Sequence, residues 1–552
     1  MRLRDQPVLV LDAQATGASP KHGSLLELGW ATARARDDDA PVRATWLQLP
    51  DGDKPNRIVR KLTGWTEAEA ASALAPGDAF RALREAARAT ELVPAPTVVH
   101  FARFEMAFLD DWHARFDEAG SPPPFDFVCL HAAALRLYPE LPKSGLRALA
   151  GFLGHSTSLD RRSEGHVRAT LHVWRQMVPA LEARGVTTWE ELRAFVAERA
   201  PKPGKRAFPM AAEVRRALPD RPGVYRFLRS NGDILYIGKA ASLKKRVAGH
   251  FTAAPRAADR NKEMLTQALG IDFTETATPL EAALLECDEI KRVDPPYNVQ
   301  LRDATRTALF VSRDLRSFVE APDDAHPLGP VPSRFSISAL GAVKRLALGE
   351  PPTPELRGRA VGVPPRFAPD EEVFAAGWNE LAARHFRLPS RTPWGAVVRA
   401  TASLARLFEL DALEPRDEEA PPGWDPTRIL RYLERTVLVG GQLLRRARWL
   451  VRLSESTLEY REGARLRRFV IEDGDVVSTS DAAEPAAPLD HRAVTSPWRA
   501  RQAAFDGAKY DRLRVLTTEL RRVIGEGGEV RIRFDRGPAL GTDAIARWLR
   551  FV

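Results

Sequence analysis

An α/β chain of several domains is the fold class this sequence predicts, on three observations. Its 552 residues exceed what one hydrophobic core serves, so about three domains are expected. Short apolar, β-branched runs alternate with helical patterns, starting with "PVLVLD" at 7–12. Two Pro- and Gly-rich stretches divide the chain as linkers do: "APKPGKRAFP" at 200–209 and "GEPPTPELRGRAVGVPPRFAPDEE" at 349–372. Residues 1–199 and 351–552 are the outer segments expected from these breaks; between them, 207–303 and 304–350 are separated where the motifs of the middle segment end.

Composition bounds the partners. With 44% hydrophobic and 28% charged residues the chain reads as globular. Its formal net charge of +9 fits a polyanion such as nucleic acid, although an Arg-rich composition alone gives the same figure. Cys129 and Cys287, the two cysteines, exclude a disulfide framework and a Cys-rich zinc site. "MRLRDQPVLVLD" runs straight into a strand pattern without the apolar core of a signal peptide. No apolar run approaches the roughly 20 residues of a membrane helix, so a cytoplasmic, nucleoid-associated protein is expected, with no membrane partner.

The segment from about 210 to 303 is the most informative. In "PGVYRFLRSNGDILYIGKA" (222–240), Asn231-Gly232 signals a type I′ hairpin turn, which needs positive φ at both central residues. Counting outward pairs Arg229 with Ile234, Phe227 with Tyr236 and Tyr225 with Gly238. Tyr225 and Tyr236 then share a face as diagonal neighbours, with open space over Gly238; Leu228, Leu235 and Ile237 form the other face. "SLKKRVAGHF" follows, with Ser242 as N-cap, an apolar row of Leu243, Val247 and Phe251, and a second row of Arg246 and His250. "TPLEAALLECDEIKRVDPPYN" opens a helix with a capping box, Thr278 to Glu281, and Pro279 at its first position. Glu286 lies one turn from Ala282 and from Ile290, an acid on an apolar row. Taken singly these are packing tyrosines, a solvated Arg/His pair and a solvated acid; their joint occurrence in one short unit points to chemistry.

"PGVYRF", "LYIGKA", "LKKRV", "EAALLE" and "PPYNVQLRD" resemble, in this order, the GIY-YIG nuclease domain, most closely that of the UvrC family of excision-repair incision proteins. The resemblance covers about 215–303 and implies a metal-dependent DNA endonuclease in DNA repair, of the UvrC/Cho kind. It makes Tyr225 the general base or its close partner and Tyr236 a second active-site tyrosine. Lys239 and Arg246 would hold the phosphate, Glu286 would bind one Mg²⁺ (or Mn²⁺), and Asn298 would close the site. His250 stands where UvrC usually has Tyr and other GIY-YIG enzymes have His. The chemistry is coherent. Cations and a metal stabilise charge on the phosphate oxygens, and cations near a phenol favour its phenolate. DNA is the implied partner, with excision-repair damage-recognition proteins beside it. "GPVPSRFSISALGAVKRL" (329–346) resembles the segment that follows this domain in UvrC-like proteins.

"VLVLDAQATG", "VVHFARFEMAFL" and "RRSEGHVRATLHVW" resemble the three motifs of DnaQ-like 3′–5′ exonucleases, the DEDDh class on an RNase H-like fold, over about 7–178. The departures are specific. Asp12-Ala13-Gln14 replaces Asp-x-Glu, Phe101 and Glu105 replace Asn and Asp, Arg161 falls at the catalytic His, and His166 falls at the last Asp. Two-metal nucleases need clustered carboxylates. Gln14 and His166 remove two, so an inactive domain that binds or docks DNA is expected. The alternatives are an active 3′–5′ exonuclease, or a scaffold that only binds nucleic acid. Beyond 350 the pattern reads as helices, then a β-meander at 449–477 with Gly463 and Gly474 at its turns. A helix carrying Leu513, Leu516, Leu520, Val523 and Ile524 comes next, ended by Gly525.

Overall fold

The computed structural model describes residues 1–50, 53–117, 119–156, 161–198, 207–252, 259–302, 307–385, 423–481, 497–534 and 538–549. Most of the first expected linker, 199–206, lies outside the described residues. Residue contacts gather the chain into two units, Met1–Glu275 with Pro295–Asn298, and Thr276–Asp294 with Val299–Val552.

The first unit opens with β1 (Val8–Ala15), β2 (Leu25–Ala33), β3 (Arg43–Trp46), β4 (Ala95–Val99) and β5 (Phe125–Cys129). They form one sheet of order β3-β2-β1-β4-β5, with β1 antiparallel to β2 and parallel to β4. Successive side chains of a strand face opposite sides. Val8 and Val10 meet one core, shared with the helix Ser163–Glu182. Leu9, Leu11 and Ala13 meet the other, under the helices Pro76–Arg88 and Ala102–Phe116. Both faces are covered, which is why "VLVL" is apolar without alternation. The helix Ser163–Glu182 is anchored at its start by Glu27 of β2, whose carboxylate accepts from Ser163 N at 2.9 Å and from Arg162 Nε at 2.6 Å. A Cβ on Gly29 would lie 3.0 Å from Ser163, so the glycine is what lets the helix sit this close to β2.

The same unit carries a second sheet, β7-β6-β8, built from β6 (Gly223–Leu228), β7 (Ile234–Ala240) and β8 (Gly270–Glu275). The expected pairs Tyr225–Gly238 and Phe227–Tyr236 are present, but Leu228, not Arg229, pairs with Ile234, after a register shift between Phe227 and Leu228. The turn also differs from expectation. Of its residues only Gly232 has positive φ, +88°, so it is not type I′. Gly232 N donates to Arg229 O and Arg229 N to Asp233 O, the pattern of a longer loop closed by one left-handed glycine. Asn231 instead bonds Asp233 through both ends of its amide.

Two elements from different sequence segments pack inside this unit. The helix Leu146–Phe152 lies on the helix Asp259–Gln267, where a Cβ on Gly151 would come within 2.0 Å of Gln267 Oε1. Lys143 pairs with Asp259 at 2.9 Å and Arg147 with Glu263 at 3.7 Å.

The second unit contains a small sheet, β9 (Leu309–Val311), β10 (Phe318–Val319) and β11 (Leu328–Val331), and a larger one, β14-β13-β12-β15. The larger sheet comprises β12 (Ser456–Glu462), β13 (Arg465–Glu472), β14 (Asp475–Asp481) and β15 (Glu529–Phe534), so the meander exists with Gly463 at φ +60° and Gly474 at φ +81° in its turns. Its first expected residues, from 449, instead end the helix Pro426–Leu453. The helix Gly507–Gly525 buries Leu513, Leu516, Leu520 and Val523 as the periodicity predicts. The stretch 349–372, linker-like in composition, holds the helix Pro354–Ala360, started by the Thr353 hydroxyl accepting from Leu356 N. Proline at a first helical position mimics a linker in composition. The helix Pro279–Val293 packs Leu280 and Leu284 into a core with Leu458, Tyr460 and Phe469. No helix among the described residues is long and apolar enough to cross a membrane.

Candidate active site

The hairpin of β6 and β7 sets two phenols side by side, because residues paired across strands share a face. The rings of Tyr225 and Tyr236 lie 6.0 Å apart, centre to centre. Gly238 makes this possible. A Cβ there would fall 2.5 Å from Tyr225 Oη and 2.7 Å from Tyr236 Cε1, so the space expected over Gly238 is filled by the phenols themselves.

The helix Leu243–Thr252 follows β7 directly, started by Ser242, whose hydroxyl accepts from Lys245 N at 3.2 Å. Leu243 and Val247 are fully buried, which fixes the helix face and brings the other row, Arg246 and His250, over the tyrosines. Tyr225 Oη and His250 Nε2 are 2.6 Å apart. His250 Nδ1 faces the Asn261 side-chain oxygen at 3.4 Å. Burial holds the imidazole below the usual histidine range, so it is neutral at pH 7. A neutral ring with Nδ1–H toward an amide oxygen leaves Nε2 as acceptor, and Tyr225 donates to it. Charge on the Tyr225 phenol, then hydrogen bonds to Tyr225 and Tyr236, raise the Arg246 guanidinium above its usual range. Tyr225, Tyr236, Arg246 and His250 therefore form one cluster. Tyr225 is wholly buried, Tyr236 half-buried and Arg246 exposed.

The remaining predicted residues are placed differently. Asn298 spends its amide on the backbone between the tyrosines of the hairpin and the turn of the chain at 295–298. Its Oδ1 accepts from Ile237 N at 3.0 Å and its Nδ2 donates to Ile237 O at 2.8 Å. That makes it a clamp on β7. Lys239 pairs with Val224 and, by strand alternation, lies on the face away from Tyr236 and Gly238. Glu286 is half-buried on the helix Pro279–Val293 of the second unit, between the buried Ala282 and Ile290 as its spacing predicts. Asn261, which orients His250, was not found from sequence. It belongs to no motif, and a lone polar residue on a polar helix gives no signal.

The DnaQ-like residues also gather. Asp12, Gln14, Glu105 and His166 line a cavity of about 520 Å³ with His100 and Arg147. Asp12 lies 3.2 Å from His166 Nδ1. Glu105 is 5% exposed, with one carboxyl oxygen buried and unpartnered. Burial, then the charge of Asp12, push its carboxyl up to about 8, so it is protonated at pH 7. Burial also pushes His100 down to about 3. Arg161 lies outside the lining. Its carbonyl accepts from Gln14 Nε2 at 2.7 Å and its guanidinium turns to Lys61 O at 3.1 Å. The missed lining residue Arg147 sits on the helix Leu146–Phe152, which none of the three motifs includes.

Residues 221–299 match the family model of the UvrC-like GIY-YIG domain, and the chain carries that domain. A Mycobacterium tuberculosis protein named as a bifunctional exonuclease/endonuclease is 29% identical over 356 residues, 62% of this chain and 53% of its own length. The UvrABC system protein C of Rhizobium etli is 46% identical over 94 residues, 17% of this chain and 14% of its own length. The chain thus spans about half the length of the first relative and far less of the second. Among solved structures, the GIY-YIG N-terminal endonuclease domain of Thermotoga maritima UvrC, bound to magnesium as its catalytic divalent cation, is similar at 29% identity. That match covers 16% of this chain and 100% of that one, with a TM-score of 0.15. The nuclease domain of 3′hExo, a DEDDh family member, is similar at 10% identity over 32% of this chain and 92% of that one, with a TM-score of 0.27.

Proposed function

We propose that the protein is a metal-dependent DNA endonuclease that hydrolyses a phosphodiester bond through its UvrC-like GIY-YIG site, in DNA repair. The observation that carries this reading is the cluster of Tyr225, Tyr236, Arg246 and His250 inside the matched domain. Tyr225 has no exposed surface, so Tyr236 is the phenol that faces water and substrate. With Tyr236 as its phenolate, favoured by the neighbouring guanidinium and the metal, water attacks phosphorus, its proton passes to the Tyr236 oxygen, and the P–O ester bond breaks, the departing oxygen taking a proton from solvent. Arg246 offsets charge at the phenol oxygens and the phosphate, and Tyr225, held by His250, fixes the direction of that guanidinium. Groups in such roles are worth about 10²–10⁴ in rate each. Lys239, on the opposite face of β7 from the phenols, adds positive charge to the approach of the polyanion rather than at the cluster, and Asn298 positions β7.

Glu286 would hold the divalent ion. A single half-buried carboxylate, with water and phosphate oxygens completing the shell, suits Mg²⁺, with Mn²⁺ as substitute. When bound, that ion supplies Lewis-acid stabilisation of charge on the phosphate oxygens.

Residues 1–199 are the exonuclease-type domain, 207–303 the nuclease, 304–350 the connecting segment and 351–552 a further region. The first of these lacks exonuclease activity in this reading. Gln14 and His166 stand where this site needs carboxylates, and Asp12 is paired with His166, so the cavity offers too little negative charge for two divalent cations. It serves as a DNA-binding or docking module, and excision-repair recognition proteins are the partners that would deliver the enzyme. The test is to incubate the full chain and Mg²⁺ with intact, nicked and lesion-bearing duplexes and map the cuts. Internal cuts support the reading; loss of nucleotides only from 3′ ends favours the exonuclease instead.

A further inference from the structure

The helix Asp259–Gln267 belongs to none of the motifs read from sequence, yet it reaches the tyrosine cluster. In a helix, residues four apart share a face, and the residue midway between them points the other way. Asp259 and Glu263 face the exonuclease-type segment, where Lys143 lies 2.9 Å from the first and Arg147 3.7 Å from the second. Tyr297 Oη also donates to Glu263, at 2.6 Å. Asn261, midway, is thereby presented to the nuclease, and its side-chain oxygen stands 3.4 Å from His250 Nδ1.

What that oxygen decides follows from counting hydrogens at Tyr225. Its phenol oxygen accepts from Arg246, whose guanidinium has no lone pair to offer in return. The phenol's own hydrogen needs an acceptor, and His250 Nε2 is 2.6 Å away. Neutral imidazole carries one hydrogen, on either nitrogen. On Nε2 it would set N–H against O–H; on Nδ1 it leaves Nε2 to accept. An amide oxygen only accepts, so it favours the hydrogen on Nδ1. We propose that Asn261 is a positioning residue of the nuclease. By holding His250 in the Nδ1–H form it commits the Tyr225 hydrogen to His250, leaves the Tyr225 oxygen to Arg246, and so keeps the guanidinium aimed at substrate. A histidine at 250 needs such a partner, whereas a tyrosine hydroxyl there would donate and accept without one. The effect on rate rests on the endonuclease reading above; the choice of tautomer does not.

The experiment compares the full-length wild type with Asn261→Leu and Asn261→Asp in two readouts. In the first, nitrogen-15 spectra of histidine-labelled protein follow the imidazole nitrogens without metal, and His250→Gln protein identifies the His250 signals by their loss. Wild type should show the hydrogen on Nδ1, and Asn261→Leu a mixture of both forms. Asn261→Asp, whose carboxylate also accepts from Nδ1–H, should keep the wild-type form. In the second, plasmid nicking in Mg²⁺ should fall about ten-fold in Asn261→Leu, the share of a single hydrogen bond, through kcat with KM little changed. Asn261→Asp should nick well on the alkaline side but lose its rate at a higher pH than wild type does as pH falls. The added carboxylate favours imidazolium, which cannot accept from Tyr225. Tyr225 and Tyr236 of the hairpin and Arg246 one turn before His250 surround the ring in every variant, so the shift belongs to position 261. Thermal melts check folding, with Asn261→Ala measured if the Leu variant is unfolded. Wild type with its hydrogen on Nε2, or a folded Leu variant that keeps the Nδ1–H form, overturns the proposal. So does a folded Leu variant that nicks at the wild-type rate. If wild type itself does not nick, the endonuclease reading fails, and the spectra alone decide what Asn261 does to His250.

Discussion

Tyr225 shows how one buried oxygen organises the cluster: His250 Nε2 accepts from it at 2.6 Å, and Arg246 donates to it and to Tyr236. Tyr225→Phe keeps nearly all the buried volume and removes that oxygen. Nicking of supercoiled plasmid should fall about 100-fold or more while thermal stability changes little; a near-normal rate would show that the oxygen is dispensable. At the exonuclease-type cavity the informative residue is Glu105, whose folded carboxyl is raised from 4.5 to about 8 by burial and Asp12. The folded state therefore holds a proton that the unfolded chain has lost, and this residue's contribution falls as pH rises from about 4.5 to about 8. The ceiling on that slope is about 1.4 kcal/mol per pH unit. His100, depressed from 6.5 to about 3, acts in the opposite direction and costs stability as pH falls through that range. Glu105→Gln should accordingly raise the melting temperature more at pH 8 than at pH 5, as scanning calorimetry would show; an equal gain at both would mean the carboxyl titrates normally.

At the scale of elements, the hairpin and the helix after it were legible, since cross-strand pairing and i, i+4 spacing follow from local sequence. The turn was not. Asn-Gly predicts a type I′ turn, but Asn231 bonds Asp233 and the register slips by one at Leu228. Arg229 is meanwhile drawn to Gln267, donating from Nε at 3.1 Å and Nη2 at 3.0 Å, a tertiary contact no local pattern contains. The helix Asp259–Gln267 was equally hidden, though it orients His250 through Asn261 and receives the exonuclease-type segment through Lys143, Arg147 and Gly151. That segment thereby buttresses the nuclease site. Gly151→Leu, which drives a side chain into Gln267, should cost roughly 1–3 kcal/mol of stability and slow nicking several-fold without touching the tyrosines. Urea unfolding and plasmid nicking on one preparation would check it, and unchanged values for both would remove the buttress.

Across the whole molecule, the apolar run "VLVL" was legible as a buried strand, its sheet proves to be covered on both faces, and Asp12, Gln14, Glu105 and His166 of the N-terminal segment line one cavity while Arg161 stays outside it. Their protonation could not be read from sequence, because it depends on burial that only the fold supplies. The same cavity predicts that Glu286→Ala protein, given a 3′-labelled single strand in Mg²⁺ or Mn²⁺, releases no nucleotides. Release that vanishes on adding Asp12→Ala would contradict this. The central claim is that one chain carries a single working nuclease, the UvrC-like GIY-YIG site. It is tested most directly by incubating supercoiled plasmid and Mg²⁺ with wild type and with Glu286→Ala, with duplex affinity measured on the same samples. The account predicts nicked circles from wild type, none from the variant, and equal affinity for both; nicking by Glu286→Ala at the wild-type rate would contradict it.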